Sequence, residues 1–167
     1  TIELTFRNDK GKASMRVLII SPNKSQEPVP AFMMISFDAP DSKKMALNPE
    51  KAGFLNNGWP IQEILERGFA LVTVYHSDLV RHNEHEFRQG IHPLFFQTNQ
   101  SFPKANEWGV IAAIGWGAMR ALDHLAKIPS IDENQVALIG HSKLGKATLW
   151  AAAQDERFAM AISIQSG

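Results

Sequence analysis

Cysteine is absent from the 167 residues, so disulfides, thiolate metal sites and a cysteine nucleophile are excluded, while the redox compartment stays open. Neither sign of charge is in excess: Lys plus Arg and Asp plus Glu are both 17, a formal net charge of zero. Such a chain sets up no long-range field to draw in nucleic acid or an anionic membrane surface. It also lacks the basic, aromatic-studded stripe of a nucleic-acid binder, so neither nucleic acid nor membrane is expected as a partner. No run approaches the roughly 18 apolar residues of a membrane span. The opening T-I-E-L-T-F lacks the charged-then-apolar plan of a signal peptide, although a processed secreted protein would look the same. Repeats and low-complexity linkers are missing too.

What is present, 44% hydrophobic and 20% charged residues, suits one globular domain with a sizeable core. T-I-E-L-T-F alternates, with Ile2, Leu4 and Phe6 on one face, and S-M-R-V-L-I-I resumes after the turn N-D-K-G-K, which predicts an antiparallel hairpin. P-V-P-A-F-M-M-I-S-F is a continuous apolar run, the mark of a strand covered on both faces. The pattern then changes to alternating helices and strands. A helix is expected from Pro60 to Gly68, then the buried strand F-A-L-V-T-V-Y, then a long aperiodic loop over 77–104. Ala105 to Lys127 reads as the longest helix, with Trp108, Ile111, Ala112, Gly115, Met119, Leu122 and Ala126 on its buried face. The strand Q-V-A-L-I-G, the helix L-G-K-A-T-L-W-A-A-A-Q and the strand M-A-I-S-I close the chain. A hairpin followed by strand–helix–strand units argues for a mostly parallel, doubly wound α/β sheet.

The stretch G-H-S-K-L-G-K-A, Gly140 to Ala147, fits two chemistries. As a P-loop it needs Ser or Thr after the lysine to ligate magnesium, and Ala147 stands there. It also needs a metal-holding Asp on a later strand, and M-A-I-S-I ends without one. As a nucleophile elbow it needs a serine on a tight turn between strand and helix, which Ser142 satisfies. The second glycine of that motif comes one residue late, at Gly145 rather than at position 144, giving G-x-S-x-x-G. A serine that merely caps the helix is the competing reading.

The stretch V-A-L-I-G-H-S-K-L-G-K-A-T-L-W-A-A-A-Q-D-E-R-F-A-M-A-I-S-I-Q-S-G resembles the core of the glucuronoyl esterases, carbohydrate esterase family 15, above all their bacterial branch. E-W-G-V-I-A-A-I-G-W-G-A-M-R-A-L-D-H-L, W-P-I-Q-E-I-L-E-R-G-F-A-L and G-I-H-P-L-F-F are similar to that family as well, so the resemblance covers most of the chain. It implies an α/β-hydrolase fold, a three-layer αβα sandwich, with residues 1–167 forming the N-terminal part of a single catalytic domain. It further implies cleavage of 4-O-methyl-glucuronic acid esters in plant cell walls, with no cofactor and no metal. By the same resemblance Ser142 is the nucleophile, position 143 stabilises the oxyanion, and Lys146 holds sugar hydroxyls. A substrate on xylan implies a secreted or periplasmic protein.

Three departures from the family pattern stand out. Position 143 is Lys where the family has Arg, a compact charge in place of a planar fork, or else a solvated lysine at a helix start. Position 165 is Gln where many relatives carry the triad's acid, and Gln cannot stabilise an imidazolium by charge. Gln165 therefore means either an acid from a later strand or a weakened site. The base of this fold is a histidine far downstream of the nucleophile, and the chain stops at Gly167. The expectation is that the sequence is a piece of a larger hydrolase whose remainder, on this chain's parent or on a second polypeptide, carries base and acid.

Among the six histidines, His141 should point away from the partner of Ser142, and His124 lies on the long helix beside Asp123. His76 ends a strand, while His82, His85 and His92 lie in the long loop, where His85 or His92 would be the substrate contacts if any histidine is. H-N-E-H lacks the further ligands that a metal needs. Trp59, Trp108, Trp116 and Trp150 invite a sugar-stacking reading, but Trp108, Trp116 and Trp150 sit in helical patterns and read as core. N-K-S at Asn23 and N-Q-S at Asn99 are glycosylation acceptors only in a eukaryotic secretory route. Two rivals remain: an acetyl xylan esterase-like serine hydrolase, and a non-catalytic relic of the fold that binds carbohydrate.

Overall fold

A computed structural model describes residues 1–23, 25–37, 39, 60–81 and 87–167, so Trp59, His82 and His85 lie outside the described residues. Six strands form one sheet: β1 (Ile2–Asn8), β2 (Gly11–Ile20), β3 (Val29–Ser36), β4 (Ala70–Tyr75), β5 (Ile131–His141) and β6 (Phe158–Ile164), in the order β1-β2-β4-β3-β5-β6. β1 and β2 make the expected hairpin, paired antiparallel from Ile2↔Val17 to Asn8↔Gly11. β2 joins β4 antiparallel, and β4, β3, β5 and β6 run parallel.

The helices cover both faces. α1 (Ile61–Glu66) ends before Gly68, whose φ of +82° suits a residue without Cβ. Ile61 and Ile64 pack on Leu71, with Phe32 and Phe69 beside them, forming a small core on one face. The main core lies on the other face, where β3 contributes Ala31, Met33 and Ile35 beneath α3 (Val110–Leu125) and α4 (Lys143–Gln154). β3 is thus covered on both sides, as its unbroken apolar run requires. α1, between β3 and β4, packs on one face and α3, between β4 and β5, on the other, so the carboxyl ends of β3 and β5 flank a topological switch point.

Three expectations are corrected. The long helix begins at Val110 rather than Ala105, because 104–107 form a turn in which Glu107 accepts from the Lys104 N–H at 2.9 Å. Its buried face is wider than expected: Ala112, Gly115 and Leu122 are buried as their spacing indicates, Ala113, Ile114, Gly117, Ala118, Ala121 and Leu125 join them, and Ala126 alone of the expected set is exposed. Small residues decide this. A Cβ on Gly117 would lie 2.1 Å from Leu79 Cδ1, and one on Gly115 2.7 Å from Trp150 Cε3, so bulk at either position pushes the helix off its neighbours. Trp108, Trp116 and Trp150 are consequently half-buried at the rim, with Trp116 edge-on to Phe6 at 4.7 Å. The third correction concerns 77–104, which holds α2 (His76–Leu79) and a 3-10 turn at His92–Leu94. Asp78 of α2 is clamped by Arg16, whose Nε and backbone N–H donate to Oδ2, each at 2.9 Å, while Nη2 donates to Oδ1 at 2.8 Å.

Candidate active site

Ser142 stands between the end of β5 and the first residue of α4, at the carboxyl edge of the sheet. Its φ of 55° and ψ of −126° are rare for a residue with a Cβ, and such strain typically costs about 1–3 kcal/mol. It occupies the cap position of α4 but makes no side-chain capping bond, so helix capping does not explain the serine. Its side chain is exposed. The turn is closed by the N–H groups of Gly145 and Lys146, both donating to the Ser142 carbonyl, at 2.9 and 3.2 Å.

Both glycines of G-x-S-x-x-G are sterically required. A Cβ on Gly140 would lie 2.3 Å from the Leu144 carbonyl oxygen, so the strand could not pass under the first turn of α4. A Cβ on Gly145 would lie 2.7 Å from Ser163 Oγ and 3.0 Å from the Gly140 oxygen. The displaced second glycine therefore still lets helix and sheet meet closely, which is the office of the glycine in the commoner spacing.

Lys143 follows the serine as the first residue of α4, the position whose backbone N–H faces an oxyanion in hydrolases of this fold. Its Nζ lies 6.0 Å from the centre of the Phe37 ring, just past the end of β3, and that ring is edge-on to the buried His76 at 5.2 Å. Lys146 is exposed one turn further on. Gln165 lies just beyond β6 with φ 47°, and its Oε1 accepts from His141 Nε2–H at 2.7 Å. A cavity of about 300 Å³ opens beside the elbow, lined by Met34, Ile35, Phe37, Ile139, Gly140, His141 and Ile164.

The structure therefore brings Ser142, Lys143, His141 and Gln165 to one sheet edge. It does not bring a histidine to Ser142: among the described residues none bonds its hydroxyl, and His141 is turned to Gln165. His92 is corrected as a substrate contact, since it is 1% exposed and enclosed by Phe87, Phe96 and Trp108. Among the described residues no cluster of three or more His, Asp or Glu is arranged to hold a metal ion. Sequence reasoning missed Phe37, because aromatic residues that end a buried strand carry no periodic signal.

A mostly parallel sheet with helices on both faces and a strained serine on the strand-to-helix turn is the architecture of an α/β hydrolase. Within that class the chain belongs to the glucuronyl esterase family: the profile described as "Glucuronyl esterase, fungi" matches residues 4–167. The solved glucuronoyl esterase from Solibacter usitatus superposes with a TM-score of 0.80 at 33% identity, covering 96% of this chain and 45% of that one. Carbohydrate esterase MZ0003, from an unknown prokaryotic organism, is 29% identical over 99% of this chain and 43% of its own length. A 4-O-methyl-glucuronoyl methylesterase of Cerrena unicolor is 33% identical over 66% of this chain and 24% of its own. The chain thus spans less than half the length of these relatives.

Proposed function

We propose that this chain carries the nucleophile of a glucuronoyl esterase, which cleaves esters of 4-O-methyl-glucuronic acid through an acyl-enzyme on Ser142. The observation that carries the reading is Ser142 itself, exposed, strained and without a capping bond at the carboxyl edge of the sheet. Family membership and relatives named as glucuronoyl esterases supply the substrate class.

In the reaction the Ser142 oxygen bonds to the ester carbonyl carbon as a base takes its proton. The carbonyl oxygen becomes an oxyanion facing the Lys143 backbone N–H and side-chain ammonium. Collapse breaks the bond to the alcohol, which leaves with that proton, and water then releases glucuronate and restores the serine. Lys146 orients sugar hydroxyls from the next turn of α4. Base and acid come from the part of the hydrolase domain that this chain does not span. Such an ester belongs to cell-wall polysaccharide, so the working compartment is extracellular or periplasmic.

The test uses the complete protein and two substrates, a methyl glucuronate ester and an acetylated xylose. Ser142→Ala should abolish cleavage of the first, and the wild type should prefer it to the second. Unchanged cleavage in Ser142→Ala would overturn the nucleophile assignment, and a reversed preference would make the enzyme an acetyl esterase.

A further inference from the structure

Ser142 holds a backbone conformation that a residue with a Cβ keeps only when its surroundings impose it. The helix side of the turn contributes the two bonds to the Ser142 carbonyl, and these fix the chain on the helix side of the serine. The amide of Ser142 and the side chain before it are tied elsewhere, to the last residues of β6. Ser142 N–H donates to the Ile164 carbonyl at 2.8 Å, and His141 Nε2–H donates to Gln165 Oε1 at 2.7 Å. His141 and Ile164 are register partners, so the two bonds extend the β5–β6 ladder around the corner. Gln165 is itself at positive φ, and Ser163 Oγ and Ser166 Oγ are hydrogen-bonded across its turn. Both non-glycine residues with left-handed φ in this part of the chain thus face one another across a single latch.

From this geometry we infer that Gln165 is a positioning residue for Ser142, acting through His141. Its amide oxygen holds the His141 ring, which fixes the peptide leading into the nucleophile and keeps the Ser142 amide on the Ile164 carbonyl. This gives Gln165 a role that needs no charge. It rests on the nucleophile reading only for its catalytic consequence, since the latch is a property of the fold whatever Ser142 does. An acceptor at position 165 is what matters, so Glu should serve and Leu, of similar bulk, should not.

The test again takes the complete protein, with Gln165→Leu, Gln165→Glu, His141→Phe and the double variant His141→Phe/Gln165→Leu. One readout is hydrogen exchange at the Ser142 amide; the other is kcat and KM on a methyl glucuronate ester. Losing one net hydrogen bond corresponds to about a fivefold change. Gln165→Leu should speed exchange at Ser142 about fivefold and lower kcat by a similar factor with KM unchanged. Gln165→Glu should keep exchange at Ser142 near wild type, and the double variant should be no worse than either single one, because both remove the same bond. Wild-type exchange at Ser142 in Gln165→Leu would overturn the latch, as would fully additive losses in the double variant. The two ideas fail separately. If exchange responds as stated while Ser142→Ala still cleaves the ester, the latch stands and the nucleophile reading falls.

Discussion

At the residue scale, Ser142, Lys143 and the two elbow glycines shape the site, and the lysine and the second glycine each make a distinct prediction. On the proposed reading Lys143 offers the oxyanion one ammonium rather than a planar fork, and its Nζ lies 6.0 Å from the centre of the Phe37 ring. Lys143→Met in the complete protein should lower kcat about a hundredfold, the usual loss for one oxyanion donor, with KM nearly unchanged. A steady-state comparison that finds the loss in KM instead would make Lys143 a substrate-binding residue. Gly145→Ala should destabilise the protein by about 1–3 kcal/mol, because the new methyl meets Ser163 Oγ at 2.7 Å. Denaturant titration checks this, and a midpoint equal to the wild type would show that the contact yields freely. The elbow was legible in the sequence because glycine and serine between an apolar run and a helical pattern have few other uses. The role of Gln165 was not, since an amide that bonds a side chain 24 positions away leaves no local signal.

Among the elements, the hairpin, the central strand β3 and the strand–helix–strand order could all be read from alternation and apolar runs. The face of α3 could be read only in part, since Ala112, Gly115 and Leu122 are buried as expected while Ala126 is exposed. The rest of the face is made of alanines and glycines, whose value lies in how close they let two helices approach rather than in how apolar they are. The ion cluster between α3 and the α4–β6 turn was equally hidden. Arg157 Nη2 donates to Asp123 Oδ1 at 2.8 Å and to Asp155 Oδ2 at 2.6 Å, and Arg120 Nε reaches Asp123 Oδ2 at 2.6 Å. The bond from Arg157 holds the Asp155 carboxyl below its ordinary range. For Asp123 burial pushes upward, and the bonds from Arg120 and Arg157 more than offset it. A carboxylate depressed in the folded state stabilises the fold above its unfolded pKa of about 4 and loses that contribution as the pH falls through its folded value. The wild type should therefore melt above Arg157→Gln at about pH 6, with the gap closing toward about pH 2. A gap that stays constant or widens on acidification would remove the cluster from the stability of this corner.

For the whole molecule, the sheet has one edge already managed and one open. β1 ends one side as a half-polar hairpin strand, while β6 pairs only with β5 among the described residues. Met160 and Ile164 on β6 are 57% and 43% exposed, and Leu149 on α4 is 51% exposed. An apolar strand with free backbone groups invites a further strand. The isolated 167-residue chain should therefore self-associate, and Met160→Lys should lower the mass seen by light scattering at equal concentration. A monodisperse monomer of the unaltered chain would show that the edge is protected. The parallel sheet and its switch point set where chemistry can occur, but only the turn after β5 says which atom performs it.

On the proposed reading that atom is the hydroxyl oxygen of Ser142, and one measurement tests it most directly. The complete protein is treated with a fluorophosphonate that forms a stable phosphonyl–serine bond, digested, and its peptides mapped by mass spectrometry. The expected result is one adduct, on the peptide containing Gly140 to Lys146, lost in Ser142→Ala together with ester cleavage. An adduct on another serine, or cleavage with Ser142 unlabelled, would contradict the assignment.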